Sequence, residues 1–235
     1  MRVTLLSDTH NKHYQLNGDM LDVNGDMLDG QLVIHAGDIS SMGYSHEIED
    51  FCRWYDQLNY DFKVFIAGNH DWGFQDNSEK INQIVNSFKT IDYLQDNYIK
   101  VGNDNNMVKI YGTPWQPEFY NWAFNLPKNG EELAVKWDAI PDDTDILVTH
   151  GPPFGTLDTV ISRRNDNLGC ELLAKRVKIV KPKIHVFGHI HTGYGYVFKD
   201  GTHYFNAAVL NEDYRFAQRP FSFDWDPVTN KIDFL

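Results

Sequence analysis

The chain has 235 residues, 42% hydrophobic and 14% aromatic, enough for a closed core and incompatible with a disordered chain. Its formal charge is −12, from 33 Asp and Glu against 21 Lys and Arg, which disfavours long nucleic acids, since clustered cations bind these. No apolar run reaches the roughly 20 residues of a membrane span, so no membrane partner is expected.

From the N-terminus, Val3–Leu6 reads as a strand, too short an apolar run for a signal-peptide core. Asn17-Gly-Asp-Met-Leu-Asp22 then recurs as Asn24-Gly-Asp-Met-Leu-Asp29. It lacks the ligand spacing and closing Glu of an EF-hand, and its Asn-Gly pairs mark a duplicated surface turn. Leu32–His35 is a second strand, followed by a helix over Glu47–Leu58 with Ile48, Phe51, Trp54, Tyr55 and Leu58 on one face. After a strand at Val64–Ala67, the spacing predicts a helix over Ser78–Phe88, with an ordinary N-cap because Ile81 stands where a capping box requires Glu. Strands at Val108–Tyr111, Ile146–Thr149 and Ile184–Phe187 alternate with helices at Glu131–Trp137 and Cys170–Val180, the latter ending before Pro182. Tyr194–Phe198 and His203–Ala207 have no helix between them, so antiparallel hairpins are expected in the tail. The alternation specifies α/β layers, and the absence of a Ser/Gly- or Pro-rich linker predicts one domain over 1–235. Cys52 and Cys170 form no disulfide framework or Cys-x-x-Cys pair, which suits a reducing, cytoplasmic setting.

The polar residues carry the chemistry. Five strand-like runs each end in potential metal ligands: Asp8 and His10, Asp38, Asn69 with His70 and Asp71, His150, and His189 with His191. Sites in α/β sheets form at the carboxyl ends of strands, so these loops can converge on one crevice. Residues two apart in extended chain share a face, which would aim Asp8 with His10 and His189 with His191 the same way. Glycine precedes Asp38, Asn69 and His189, where it allows a sharp turn. One Asp-x-His is weak evidence, whereas five such clusters in one chain are not chance. Carboxylate, imidazole and amide donors without a thiolate suit manganese, iron, zinc, cobalt or nickel.

Asp8-x-His10, Gly37-Asp38, Gly68-Asn-His-Asp71, His150 and Gly188-His-Ile-His191 together resemble the calcineurin-like metallophosphoesterase superfamily. Thr113-Pro-Trp-Gln-Pro117, Trp122-Ala-Phe-Asn-Leu-Pro127 and Thr149-His-Gly-Pro-Pro153 resemble its subgroup of metallophosphoesterase-domain-containing proteins. The resemblance implies a four-layer αββα sandwich of two mixed sheets flanked by helices. It implies Asp8, His10 and His191 on one divalent metal, Asn69, His150 and His189 on another, Asp38 bridging them, and His70 as the catalytic residue outside the metals. Two divalent ions, manganese first among the candidates, would clamp a phosphoryl group and supply a bridging hydroxide for in-line attack. Their four charges, half neutralised by Asp8 and Asp38, would let an acidic chain bind a small phosphorylated substrate such as a nucleotide. The subgroup resemblance implies phosphodiester hydrolysis, cyclic nucleotides included, with a phosphomonoesterase or dinucleotide hydrolase as the alternative and a catalytically silent scaffold behind both. Gly37-Asp38 is followed by Ile-Ser-Ser rather than an Asp-Arg-Gly motif, which argues against a protein Ser/Thr phosphatase.

Other polar residues have plainer readings. His35 and His185 lie inside strands and suit hydrogen-bonded core positions, His203 a structural role, and His46 a helix-entry surface. His13 either lines the mouth of the site or is solvent-exposed. Arg163 and Arg164 suit a solvated loop, with phosphate contact the alternative. Trp115, Phe119, Tyr120, Trp122 and Phe124 read as a loop packed on the sheet or as a base-stacking wall.

Overall fold

The computed structural model describes residues 1–17, 29–103, 106–161 and 166–235. The duplicated Asn17–Asp29 segment, except its two ends, and Arg163 and Arg164 lie outside the described residues. Two six-stranded mixed sheets stack face to face. In the first, Arg2–Leu6, Gly30–Ala36, Tyr60–Ile66 and Ile91–Tyr93 run parallel, and Phe221–Asp226 and Lys231–Phe234 extend it antiparallel. In the second, Asn106–Thr113, Ile146–Thr149, Ile184–Phe187 and Thr202–Asn206 are parallel neighbours, edged by antiparallel Asn97–Asn103 and Gly195–Lys199.

The period-2 alternation of these strands builds three apolar layers. Leu5, Ile34, Val64 and Ile66 face Ile110, Ile146, Val148 and Val186 across the space between the sheets. Their neighbours Leu6, Val33 and Phe65 turn outward onto the Ser45–Asp56 helix through Ile48, Phe51, Trp54 and Tyr55, and onto the Ser78–Ser87 helix through Ile81 and Val85. On the far side, Tyr111, Leu147 and Phe187 meet Leu133 and Trp137 of Glu131–Asp138 and Leu173 and Val177 of Glu171–Val180. Each buried large side chain contributes about 1.5–3 kcal/mol, so the layers hold together through these faces. The result is the αββα sandwich. The first helix starts where the Glu47 carboxylate accepts the N–H groups of Met42 and Tyr44, at 3.1 and 3.0 Å. Among the described residues no helix is long and apolar enough to cross a membrane.

The tail forms two hairpins, as its pattern predicts, but they close different sheets. Gly195–Lys199 pairs with Thr202–Asn206 in the second, while Phe221–Asp226 crosses back to lie beside the N-terminal strand.

Candidate metal centre

The parallel strands of both sheets end at one edge, where their loops meet. The first sheet supplies Asp8 and His10, Asp38, and Asn69 and His70; the second supplies His150, His189 and His191. Main-chain bonds fix neighbouring loops against each other: Asp8 N–H donates to Gly37 O and His10 N–H to Asp38 O, both at 3.0 Å, and Gly188 N–H to His150 O at 2.9 Å. Asp8 also joins the sheets, since its carboxylate accepts the His189 N–H at 3.0 Å.

The local backbone differs from the extended chain expected for Asp8-x-His10 and His189-x-His191. Asp8, His10, Asp38 and His189 have φ of 57°, 41°, 55° and 67°, so turns rather than a shared strand face bring the pairs together. A left-handed non-glycine residue costs about 1 kcal/mol or more, and such strain gathers at functional sites held by their surroundings. Of the glycines before Asp38, Asn69 and His189, only Gly37 is left-handed, at φ 97°. The other two supply space: a Cβ on Gly68 would lie 2.3 Å from Asp38 Oδ1, and one on Gly188 would lie 2.0 Å from Asp8 Oδ2.

All seven expected ligands surround this point. Asp8, His10 and His191 bring ligand atoms within 4.8 Å of one another, as do Asp8, Asp38 and His150. Asp38 Oδ2 lies 3.6 Å from His10 Nε2 and 3.3 Å from His150 Nε2; Asp8 Oδ1 lies 3.3 Å from His191 Nε2. The Asn69 side-chain oxygen is 3.0 Å from His150 Nε2, and the His189 ring is 5.1 Å from that of His150. His70 stands between the roles expected of it. It forms a third such cluster with His10 and Asp38, yet its ring stacks on Trp122.

The donor set suits cations. Three of these histidines donate Nδ1–H to a main-chain carbonyl, His70 to Ser41, His150 to Ala36 and His191 to Asn211, at 2.8, 2.9 and 2.9 Å. A carbonyl can only accept, so the tautomer is set and Nε2 is the nitrogen that faces the cluster, the usual arrangement behind metal-binding imidazoles. Among the described residues neither nitrogen of buried His10 has a hydrogen-bond partner. Donor atoms each about 2.1 Å from a shared ion lie about 3–4 Å from one another, which is the spacing found here.

Charge reinforces this. Burial opposes ionising Asp8 and Asp38, yet surrounding imidazoles, His191 foremost for Asp8 and His150 foremost for Asp38, hold both carboxyls below their ordinary range. Burial lowers His10 to about 4, leaving it neutral and able to ligate. Burial also works against a charge on His150, but Asp38 outweighs it and raises the group to about 9.

Asp71, next to this cluster in sequence, is buried and ties two of its loops. Its Oδ1 accepts from Ser40 N–H and Ser40 Oγ–H at 2.9 and 2.5 Å, and its Oδ2 from Gly68 N–H and Ile39 N–H at 2.8 and 3.2 Å. The loop after the second sheet adds residues that no motif marks. Asn211 holds His191, and the Tyr214 ring contacts His10 at 4.8 Å.

The cleft over the cluster has a volume of about 610 Å³, with Phe119, Tyr120, Trp122 and Tyr214 on its walls. The aromatic segment is therefore divided: Phe124 is buried and Trp115 packs against the core, whereas the others face the cleft. His35 and His185 are buried against Thr9 and Thr149 hydroxyls at 3.0 and 2.9 Å, His203 contacts Tyr196 and Asn230, and His46 is exposed. His13 departs from both readings offered for it. It is fully buried among Tyr14, Phe51 and Trp54, with Asp50 at 3.4 Å, because the short helical turn His13–Asn17 folds its ring inward.

Residues 1–193 match the family model described as calcineurin-like phosphoesterase. Human metallophosphoesterase domain-containing protein 1 is 37% identical over 244 residues, covering 95% of this chain and 70% of that protein. The fold is similar to the crystal structure of TT1561 of Thermus thermophilus, with TM-score 0.64, 13% identity, and coverage of 99% and 97% of the two chains. It is also similar to the phosphopantetheinyl hydrolase of Mycobacterium tuberculosis, with TM-score 0.54, 14% identity and 90% of each chain covered.

Proposed function

Since the chain belongs to the calcineurin-like phosphoesterase family, whose members hydrolyse phosphoric esters with the help of metal, we propose that it is a two-metal phosphodiesterase. The observation that carries this reading is the Asp38 carboxylate, 3.6 Å from His10 and 3.3 Å from His150, between two sets of ligands. Asp8, His10 and His191 would hold one divalent ion, Asn69, His150 and His189 the other, and Asp38 would bridge them. When bound, such ions supply Lewis-acid charge for the phosphoryl group and acidify the attacking water; manganese is the first candidate.

The protein's own groups do the rest. The Ser41 carbonyl holds Nδ1–H of His70, so protonated His70 offers Nε2–H to a departing oxygen. Outside the ligand cluster the described residues lining the cleft include one lysine, Lys128, with Glu118 and Glu212. The aromatic walls suit an ester with an organic group on each side of phosphorus, such as a cyclic nucleotide.

The test is hydrolysis of bis-p-nitrophenyl phosphate against p-nitrophenyl phosphate with manganese, alongside elemental analysis. Diester turnover with two ions per chain is the expected outcome. Monoester turnover alone overturns the substrate assignment, and one ion or none overturns the metal assignment.

A further inference from the structure

Behind the cleft, and separated from it by one loop, lies a second concavity of about 460 Å³. Lys178, Lys181 and Lys199 line it, with Asp200 as the only carboxylate among the described lining residues. Three cations around one groove reverse the sign of a chain whose formal charge is −12. They differ from seven cations of the fold that are paired with carboxylates. Arg2, Arg53, Lys109, Lys136, Arg176, Lys183 and Lys231 all sit within 4 Å of a carboxylate, whereas none of the three groove lysines pairs with one among the described residues. On the same helix Arg176 pairs with Asp142, and two residues after Lys181, Lys183 pairs with Asp145.

The frame around the groove is firm. Lys178 belongs to the Glu171–Val180 helix, Lys181 is its left-handed C-cap at φ 50°, and Lys199 ends a strand of the second sheet. Pro182 O accepts the Thr202 hydroxyl at 2.6 Å, fixing the lysine-bearing turn to that strand pair. Phe154, exposed, and buried Tyr204 provide apolar wall.

We propose that this groove is a second, non-catalytic site for a small soluble anion of the polyphosphate class. Lysine ammonium groups are point charges suited to phosphate oxygens, and lysines without carboxylate partners attract such an anion without first breaking an ion pair. It borders the same loop as the cleft. Gly151 and Pro152 line the cleft, Pro153 to Thr156 line the groove, and both flank one stretch of chain. That stretch is bonded to the helix start, where Phe154 N–H donates to Cys170 O at 3.1 Å and Cys170 N–H to Pro152 O at 2.9 Å. Cys170 itself borders the cleft.

The assignment does not depend on which ester the cleft hydrolyses, so binding is measured directly. Inorganic pyrophosphate is titrated calorimetrically into the metal-loaded protein and into the charge-reversed K178E/K181E/K199E variant. Pyrophosphate on the metal cluster, and any metal it sequesters, contributes equally to both titrations. The expected result is a salt-sensitive binding event present in the first and weakened at least about tenfold in the second, with unchanged melting temperature. The single variant Lys181→Gln, which stays polar and removes one charge, should give an intermediate affinity. Identical isotherms for the native and charge-reversed proteins overturn the site.

Discussion

His70 lies nearly flat on the indole of Trp122, with ring centroids 4.1 Å apart and planes inclined by 28°. The Ser41 carbonyl fixes the same ring through Nδ1 at 2.8 Å, so face and edge are both held. Trp122→Ala removes the face contact alone. It should lower kcat on bis-p-nitrophenyl phosphate about tenfold through misplacement of the ring. His70→Ala should cost about 10²–10⁴-fold, the usual worth of an acid. Metal content should stay unchanged in both, and Trp122→Phe should recover most activity. Full activity of Trp122→Ala would remove Trp122 from any positioning role, and loss of metal in His70→Ala would make His70 a ligand.

Asp71 acts on the site through the backbone. Its two oxygens accept four hydrogen bonds from Ile39, Ser40 and Gly68, clamping the Asp38 loop to the Asn69 loop. Burial, and after it the charge of Asp38, raises this carboxyl to about 6. Asp71→Asn keeps the shape but turns an N–H₂ toward N–H donors. Leaving one buried donor unmet costs about 1–3 kcal/mol, so the urea midpoint should fall and manganese affinity should drop with it. A variant as stable as the native protein, with unaltered metal binding, would show that the two loops need no clamp.

His150 predicts a proton count. Burial disfavours its charge, but Asp38 raises it to about 9, so at pH 7 the metal-free protein carries an imidazolium there. Nδ1 donates to Ala36, so the proton a cation must displace is the one on Nε2. Manganese binding should release at least one proton at pH 7, since His191, opposed by burial but raised overall by Asp8, loses its own Nε2–H on ligation, and affinity should rise by about tenfold or more per pH unit until pH passes about 9. Calorimetry in buffers of different ionisation enthalpy measures this. A binding heat independent of buffer would place His150 off the metal or neutral beforehand.

Much of this was legible before folding because the strand ends are written locally. An apolar run closing on Asp8, Asp38, Asn69, His150 or His189 marks both a strand and its carboxyl-end loop. The alternation that places Leu5 inward and Leu6 outward likewise separates the layers. What was hidden is long-range or conformational. Phe221–Asp226 beside the N-terminal strand requires pairing across most of the chain, and Asn97–Asn103 is too polar for its pattern to stand out. The left-handed turns at Asp8 and His189 contradict the extended spacing their sequence suggests: Asp and His enter that region more readily than most residues, but too seldom for their presence to announce a turn. The Asn211 carbonyl behind His191 leaves no mark in composition, because any residue supplies one.

His185 and His35 make the fold acid-sensitive, and for His185 burial alone sets the effect. Each is fully buried, hydrogen-bonded to a threonine hydroxyl and brought to about 3 by burial, against 6.5 when free. The unfolded chain therefore binds protons that the folded chain refuses between pH 6.5 and about 3. Their contribution is complete above 6.5 and is lost as pH falls through that window. Lowering pH from 7.5 to 5.5 should cost about 1.4 kcal/mol for each such histidine. His185→Gln removes one titration. Whatever its stability at pH 7.5, its urea unfolding free energy should fall about 1.4 kcal/mol less than that of the native chain over that interval, with chelator present in both. Parallel pH dependences for the two proteins would mean that His185 protonates without unfolding, and that the interior between the second sheet and its helices admits a charge.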